Sequence, residues 1–185
     1  MFRSTMTALA VAGAFGTSAA AQEAATYADW QFYFGSVDGI AAPVCAASSR
    51  AGRVSLSLAV APQDDGSVAP YVALSDPRWE LPDEIVTIKL EFEAFTWEIR
   101  GTGHGNDFTM RWGDMAKFLE FMEDIASREN VTLRARDGEI LAVWSLEGSR
   151  SATIDLERCI ETRGAFLNET SPFDVRRIES LSNPF

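Results

Sequence analysis

The stretch VTIKLEFEAFTWEI, residues 86–99, alternates apolar and polar side chains with the two-residue period of a half-buried strand. Val86, Ile88, Leu90 and Phe92 fall on one face, and Thr87, Lys89, Glu91 and Glu93 on the other. At Glu93-Ala94 the phase slips, and the alternation resumes as Phe95, Trp97 and Ile99. Such a slip marks either a bulge or a tight turn. A single strand across the whole stretch would exceed the usual range of roughly 3–10 residues, so the preferred reading is a hairpin.

The same period recurs on both sides of this hairpin. Upstream, Trp30, Phe32 and Phe34 alternate with Gln31 and Tyr33, and Val54, Leu56, Leu58 and Val60 alternate with Ser55, Ser57 and Ala59. Both segments predict half-buried strands. Residues 35–39 and 62–66 read as turns, and Tyr71, Val72 and Leu74 as a short edge strand in a proline-bearing connection over 70–84. Downstream, Phe108, Met110 and Trp112 lead into a helix capped by Asp114, whose apolar stripe is Met115, Phe118, Leu119, Met122, Ile125 and Ala126. Val131, Leu133 and Ala135 resume the strand period, Asp137-Gly138 forms a hairpin turn, and Ile140 to Leu146 returns. Ser149 is expected to cap a last helix through Ala152, Leu156, Cys159 and Ile160 that Gly164 ends. The fold class that follows is mainly β, an antiparallel β-sandwich-like domain with one or two α-helices packed on it.

The chain of 185 residues is 46% hydrophobic, enough for one globular domain with its own core. A net charge of −11 excludes a phosphate-tracking surface, so no nucleic-acid partner is expected. Residues 1–21 carry Arg3, an Ala-rich apolar run from Ala8 to Phe15, and small residues ending Ala19-Ala20-Ala21. That order is a secretory signal peptide cleaved after Ala21, and it is too short and too Gly/Ser-interrupted for a membrane anchor. The expected organisation is a leader (1–21), one β-rich domain (22–163) and a C-terminal tail (164–185), with no membrane span in the mature chain. The alanine-rich leader looks bacterial and places the protein in the periplasm or outside the cell. In an oxidising compartment Cys45 and Cys159 form an even pair, and a disulfide between them is preferred over two buried thiols or a redox-active cysteine, because no C-x-x-C is present.

The order of landmarks resembles the invasion-associated locus B family of small exported alphaproteobacterial proteins. The landmarks are Tyr27-Ala28-Asp29-Trp30 in an opening strand, Cys45-Ala46-Ala47 in a second strand, Trp144-Ser145-Leu146-Glu147-Gly148-Ser149, and a helix holding Ala152 and Cys159. The resemblance spans roughly Tyr27 to Ile160. It implies an exported β-sandwich-like domain linked to the envelope or to host-cell interaction rather than to catalysis. Family members often carry a further cysteine just after the opening tryptophan, where this chain has Gln31, Phe32 and Tyr33.

Candidates for chemistry are few. Gly101 to Asp107 (GTGHGND) holds the only histidine, and His104 with Asp107 could bind a metal or orient a general base. Three glycines between two strands also make an ordinary mobile loop, and the segment matches no phosphate-binding motif. One histidine cannot supply a catalytic zinc site, so no metal or cofactor is expected. W-S-L-E-G-S is not a G-x-S-x-G elbow. Asp64-Asp65 and Glu91/Glu93 read as solvated surface, and Asn168-Glu169-Thr170 as an accidental acceptor triplet. Trp79, in Asp76-Pro77-Arg78-Trp79, is either an exposed interface anchor beside Arg78 or, preferentially, a lid over one end of the sandwich.

The reading that results is a non-catalytic periplasmic binding or accessory protein with a protein partner. Its possible surface is Arg78, Trp79, His104 and Asp107. The competing classes are a small hydrolase or metal-dependent enzyme built on the His104 loop, and an inhibitor of a secreted toxin whose acidic face meets a basic target.

Overall fold

The computed structural model describes residues 21–35, 43–63, 67–135 and 137–167. In chain order they form β1 (Ala21–Tyr27), β2 (Trp30–Gly35), β3 (Val44–Ala51), β4 (Val54–Pro62), β5 (Val68–Ser75), β6 (Ile85–Glu91), β7 (Thr96–His104), β8 (Asp107–Arg111), α1 (Met115–Ser127), β9 (Asn130–Arg134), β10 (Ile140–Ser145) and α2 (Ser149–Leu167). Residues 1–20 of the expected leader, the turn at 36–39, Asp64-Asp65 and the triplet at Asn168 lie outside the described residues.

All ten strands join one antiparallel sheet in the order β1-β2-β3-β4-β5-β8-β7-β6-β9-β10. The phase slip at residues 93–94 is the β6–β7 hairpin: Leu90 faces Trp97, and the Phe92 N–H donates to the Phe95 carbonyl at 2.9 Å. Core positions follow the alternation, with Trp30, Leu56, Leu58, Leu74, Leu90, Ile99, Phe108, Leu133 and Trp144 all essentially inaccessible. The sheet bends back so that β10 lies against β3, and both helices fill the space that this leaves. This is the mainly β, sandwich-like architecture that the pattern predicts.

Several local expectations are corrected. Tyr27 to Trp30 is the turn between β1 and β2, and Cys45 lies on the third strand. The segment around Tyr71 is a full central strand, β5, rather than an edge. Pro70 is tolerated inside it because the ladder with β8 begins only at Tyr71, so its missing N–H falls outside that ladder. β4 is buried along both faces from Val54 to Ala61. Its outward side chains are small (Ser55, Ser57, Ala59, Ala61), and Ala59 and Ala61 gather with Val44, Ala69 and Tyr71 in a second apolar cluster. GTGHGND is not a loose loop, because β7 runs through His104 and β8 starts at Asp107.

Asp114 caps α1 as expected, its Oδ1 accepting the Ala116 N–H at 2.8 Å. The buried face is Phe118, Phe121, Met122 and Ile125, whereas Leu119 is 40% exposed. Phe121 enters because Trp97 on β7 and Trp112 just after β8 lie under the helix, their ring centroids 5.4 and 5.8 Å from its own. Ser149 does not cap α2 with its side chain: its Oγ donates to the Ile125 carbonyl at 2.8 Å, tying the end of α1 to the start of α2. α2 continues past Gly164 to Leu167.

Phe121→Ala should lower the unfolding free energy by about 3–5 kcal/mol, the range for deleting a fully buried aromatic ring. Leu119→Ala should stay within about 1 kcal/mol, as exposed substitutions do. Urea denaturation of the two variants measures the contrast.

Candidate functional site

The strand order creates the site. To pass from β5 to β6 the chain must cross the positions of β8 and β7, three strand spacings or roughly 14 Å. Residues 76–84 make this crossing along the tip of the β7–β8 hairpin and pair with it. The Asp76 N–H donates to the Asn106 carbonyl (3.2 Å), Leu81 and Gly105 exchange both bonds (2.7 and 3.0 Å), and the Gly103 N–H donates to Glu84 (2.9 Å). The contact is close enough to require glycine: a Cβ on Gly103 would stand 2.9 Å from the Pro82 carbonyl oxygen. The four residues singled out from the sequence, Arg78, Trp79, His104 and Asp107, therefore lie at one rim of the sheet.

Each is held differently. Asp76 is fully enclosed, and its carboxylate accepts the Arg78 backbone N–H (2.9 Å), Nε (3.1 Å) and Nη2 (2.7 Å). The Arg78 hydrogen bonds, outweighing burial, hold the Asp76 carboxyl below the usual range and raise the Arg78 guanidinium. Arg78 itself stays 60% exposed, fixed at one edge and open at the other. Trp79 is half-buried and packs against the main core, as Leu81 does. His104 Nδ1 meets the Asp83 carboxylate, and both side chains are largely in water. Asp107 sits directly across the ladder from His104. Burial pushes its carboxyl upward against the pull of nearby His104, and its Oδ1 has no hydrogen-bond partner among the described residues.

Sequence reasoning missed Asp76 and Asp83. The Asp76-Pro77-Arg78 turn carried a signal for the first, since an aspartate commonly accepts the N–H two residues on. Nothing in Pro82-Asp83-Glu84 marked the second, whose role comes from the crossing. Among the described residues no group of three or more His, Cys, Asp or Glu side chains could hold a metal, and no helix is long and apolar enough to cross a membrane.

The other sequence landmarks meet where the β1–β2 turn touches the segment between β10 and α2. The Asp29 N–H donates to the Glu147 carbonyl (3.3 Å), and Trp30 Nε1 donates to the Ser145 carbonyl (3.2 Å). Gly148, at φ +88°, lies against the Tyr27 backbone, where a Cβ would come within 1.9 Å of the carbonyl oxygen. Cys45 and Cys159 are joined across a separation of 114 residues, fastening β3 to α2.

No family model matches the chain, and no curated protein matches it. Among solved structures, the crystal structure of invasion-associated protein b from Bartonella henselae aligns with 75% of this chain and 97% of its own at 16% identity, with a TM-score of 0.49. Similarity at that level assigns nothing to the side chains of the rim.

The pKa values of Asp76 and Asp107 are shifted in opposite directions. Asp76 has a depressed folded-state pKa, so its contribution is present above the unfolded value near 3.9 and is lost as pH falls through the folded one. Asp107 has a raised one, so its ionisation weakens the fold as pH rises through the carboxylate range. In thermal melts across pH 3–7, Asp76→Asn should lower Tm at pH 7, with the deficit shrinking on acidification. Asp107→Asn should raise Tm at pH 7, and that gain should likewise disappear at low pH.

Proposed function

We propose that this is an exported, non-catalytic binding or accessory protein of the bacterial envelope, and that it engages a protein partner through the rim of Arg78, Trp79, His104 and Asp107. The observation that carries the reading is the mounting of that rim. A crossing segment paired to a hairpin tip presents a fixed guanidinium, an amphipathic indole and an imidazole on rigid backbone, the kind of preorganised surface that binds at low entropic cost. Exposure supports binding over hydrolysis. The His104–Asp83 pair stands in water, where its electrostatics are screened, whereas proton-relay catalysis works in a shielded site.

Export after Ala21 into the periplasm or beyond rests on the leader-like residues 1–21, and the Cys45–Cys159 bridge suits an oxidising compartment. The landmark order that resembles the invasion-associated locus B family extends the proposal to host interaction. The proposed organisation is a leader (1–21), one β-rich domain (22–163) and a C-terminal tail (164–185).

The test is capture of partners from the host's envelope fraction by tagged protein, compared with Arg78→Ala and Trp79→Ala. A partner retained by the parent protein and reduced at least tenfold by both variants and by His104→Ala, whose side chain is largely in water and whose Tm should stay within a few degrees, supports the rim. Equal capture by parent and variants overturns it.

A further inference from the structure

A second site is built on β2, β3 and β4 at the same end of the sheet, where Ser55 pairs with Ser75 and Ser75 with Asp107; it shares no residue with the rim and does not depend on the rim's function. The Tyr27–Trp30 turn, prominent in the sequence, has no role in the surface just described. Tyr27 pairs with Trp30, leaving Ala28 and Asp29 as the two turn residues. Ala28 sits at φ +47°, the only non-glycine with a positive φ among the described residues. Two-residue hairpin turns demand this conformation, and glycine, asparagine or aspartate usually supplies it. Alanine there is strained, and retained strain is a pointer to a constrained site. The turn is clamped in place by the Asp29 N–H on Glu147 and by the contact of Gly148 with Tyr27, while the Asp29 side chain remains exposed.

Beside the turn is a cleft of about 330 Å³, lined by Ala28, Asp29, Gln31, Ser48, Arg50 and Ser55 among others. Its walls are built in register. Gln31 faces Ser48 across β2–β3, and Arg50 faces Ser55 across β3–β4, so four polar side chains project from one face of three adjacent strands. Ser55 is further fixed by a 2.7 Å hydrogen bond to Ser75. Asp29 and Arg50 bring opposite charges to the same cleft, yet neither forms an ion pair among the described residues. A cleft of this volume is within the range of small-molecule sites, and its polar lining suits a polar guest.

We propose that this cleft binds a small zwitterion, a free α-amino acid or a short peptide with both termini free. The ligand carboxylate lies on the Arg50 guanidinium, which matches it through two parallel N–H donors, and the ammonium lies on the Asp29 carboxylate. Gln31, Ser48 and Ser55 supply amide and hydroxyl groups to the atoms between. A singly charged ligand would leave one of the two protein charges without its counterpart.

The experiment is a titration of the ¹⁵N-labelled full chain with L-alanyl-L-alanine, followed by amide chemical shifts. In parallel it is titrated with the N-acetylated, C-amidated form of the same dipeptide. The expected result is saturable shifts at Asp29, Gln31, Ser48, Arg50 and Ser55 with the free dipeptide and none with the blocked one. Arg50→Gln should weaken the free dipeptide at least tenfold with an unchanged Tm. Asp29→Asn should do the same, and if it disturbs the turn, Arg50→Gln on its exposed side chain still decides. No saturable shift at these residues, equal response to the blocked dipeptide, or full affinity in Arg50→Gln overturns the proposal and leaves the rim reading untouched.

Discussion

The fold depends on the docking of the Tyr27–Trp30 turn against the Ser145–Gly148 turn. An antiparallel sheet of ten strands has two free edges, and here its first hairpin and its last strand are brought together by backbone contact rather than by a strand ladder. Trp30 accounts for much of this closure. Its ring is wholly buried, and its indole N–H satisfies the Ser145 carbonyl at the end of β10. Gly148 permits the approach because any side chain there would overlap the Tyr27 carbonyl. The disulfide adds a covalent tie to the same region through α2, and a loop of 114 residues is worth roughly 4–5 kcal/mol in chain-entropy models. α2 is also joined to β1 by the hydrogen bond from the Tyr27 hydroxyl to Asp155.

Closure has consequences for the helices. With the sheet folded over, α1 is pressed onto the β6–β7 hairpin, and Trp97, Trp112, Phe118 and Phe121 meet edge to face or tilted rather than as isolated core residues. Trp97 keeps a polar anchor through its Nε1–H on Asp124 at 2.8 Å. Such ring contacts contribute about 0.5–1.5 kcal/mol each beyond area burial. The Ser149 hydroxyl on the Ile125 carbonyl then couples the two helices.

The rim and the cleft arise from the same topology in different ways. The rim exists because β5 is followed in the sheet by β8, which forces residues 76–84 across the hairpin tip. The cleft exists because β1 turns into β2 through two residues only, one of them a strained alanine. Both sites draw on backbone fixed by hydrogen bonds, and both leave polar or charged side chains facing water: Arg78 and His104 at the rim, Asp29 and Arg50 in the cleft.

The sequence by itself determined the local structure wherever a period or a turn residue was explicit. The slip at residues 93–94, the Asp114 cap, the Asp137-Gly138 turn and the inward phase of Trp30, Phe32 and Leu56 all follow from steric and solvation rules acting within a few residues. It misjudged Phe121 and Leu119, because an amphipathic stripe gives the middle of a helical face and its partner decides the flanks. It misjudged Pro70 and GTGHG because composition marks a breaker without saying which neighbour lies alongside. Only the tertiary structure decided that β8 pairs with β5, that Asp83 meets His104, and that the Tyr27–Trp30 turn meets Gly148. These contacts join residues far apart in the chain, and their selection rests on which faces must be buried together, a property of the closed sheet rather than of any segment.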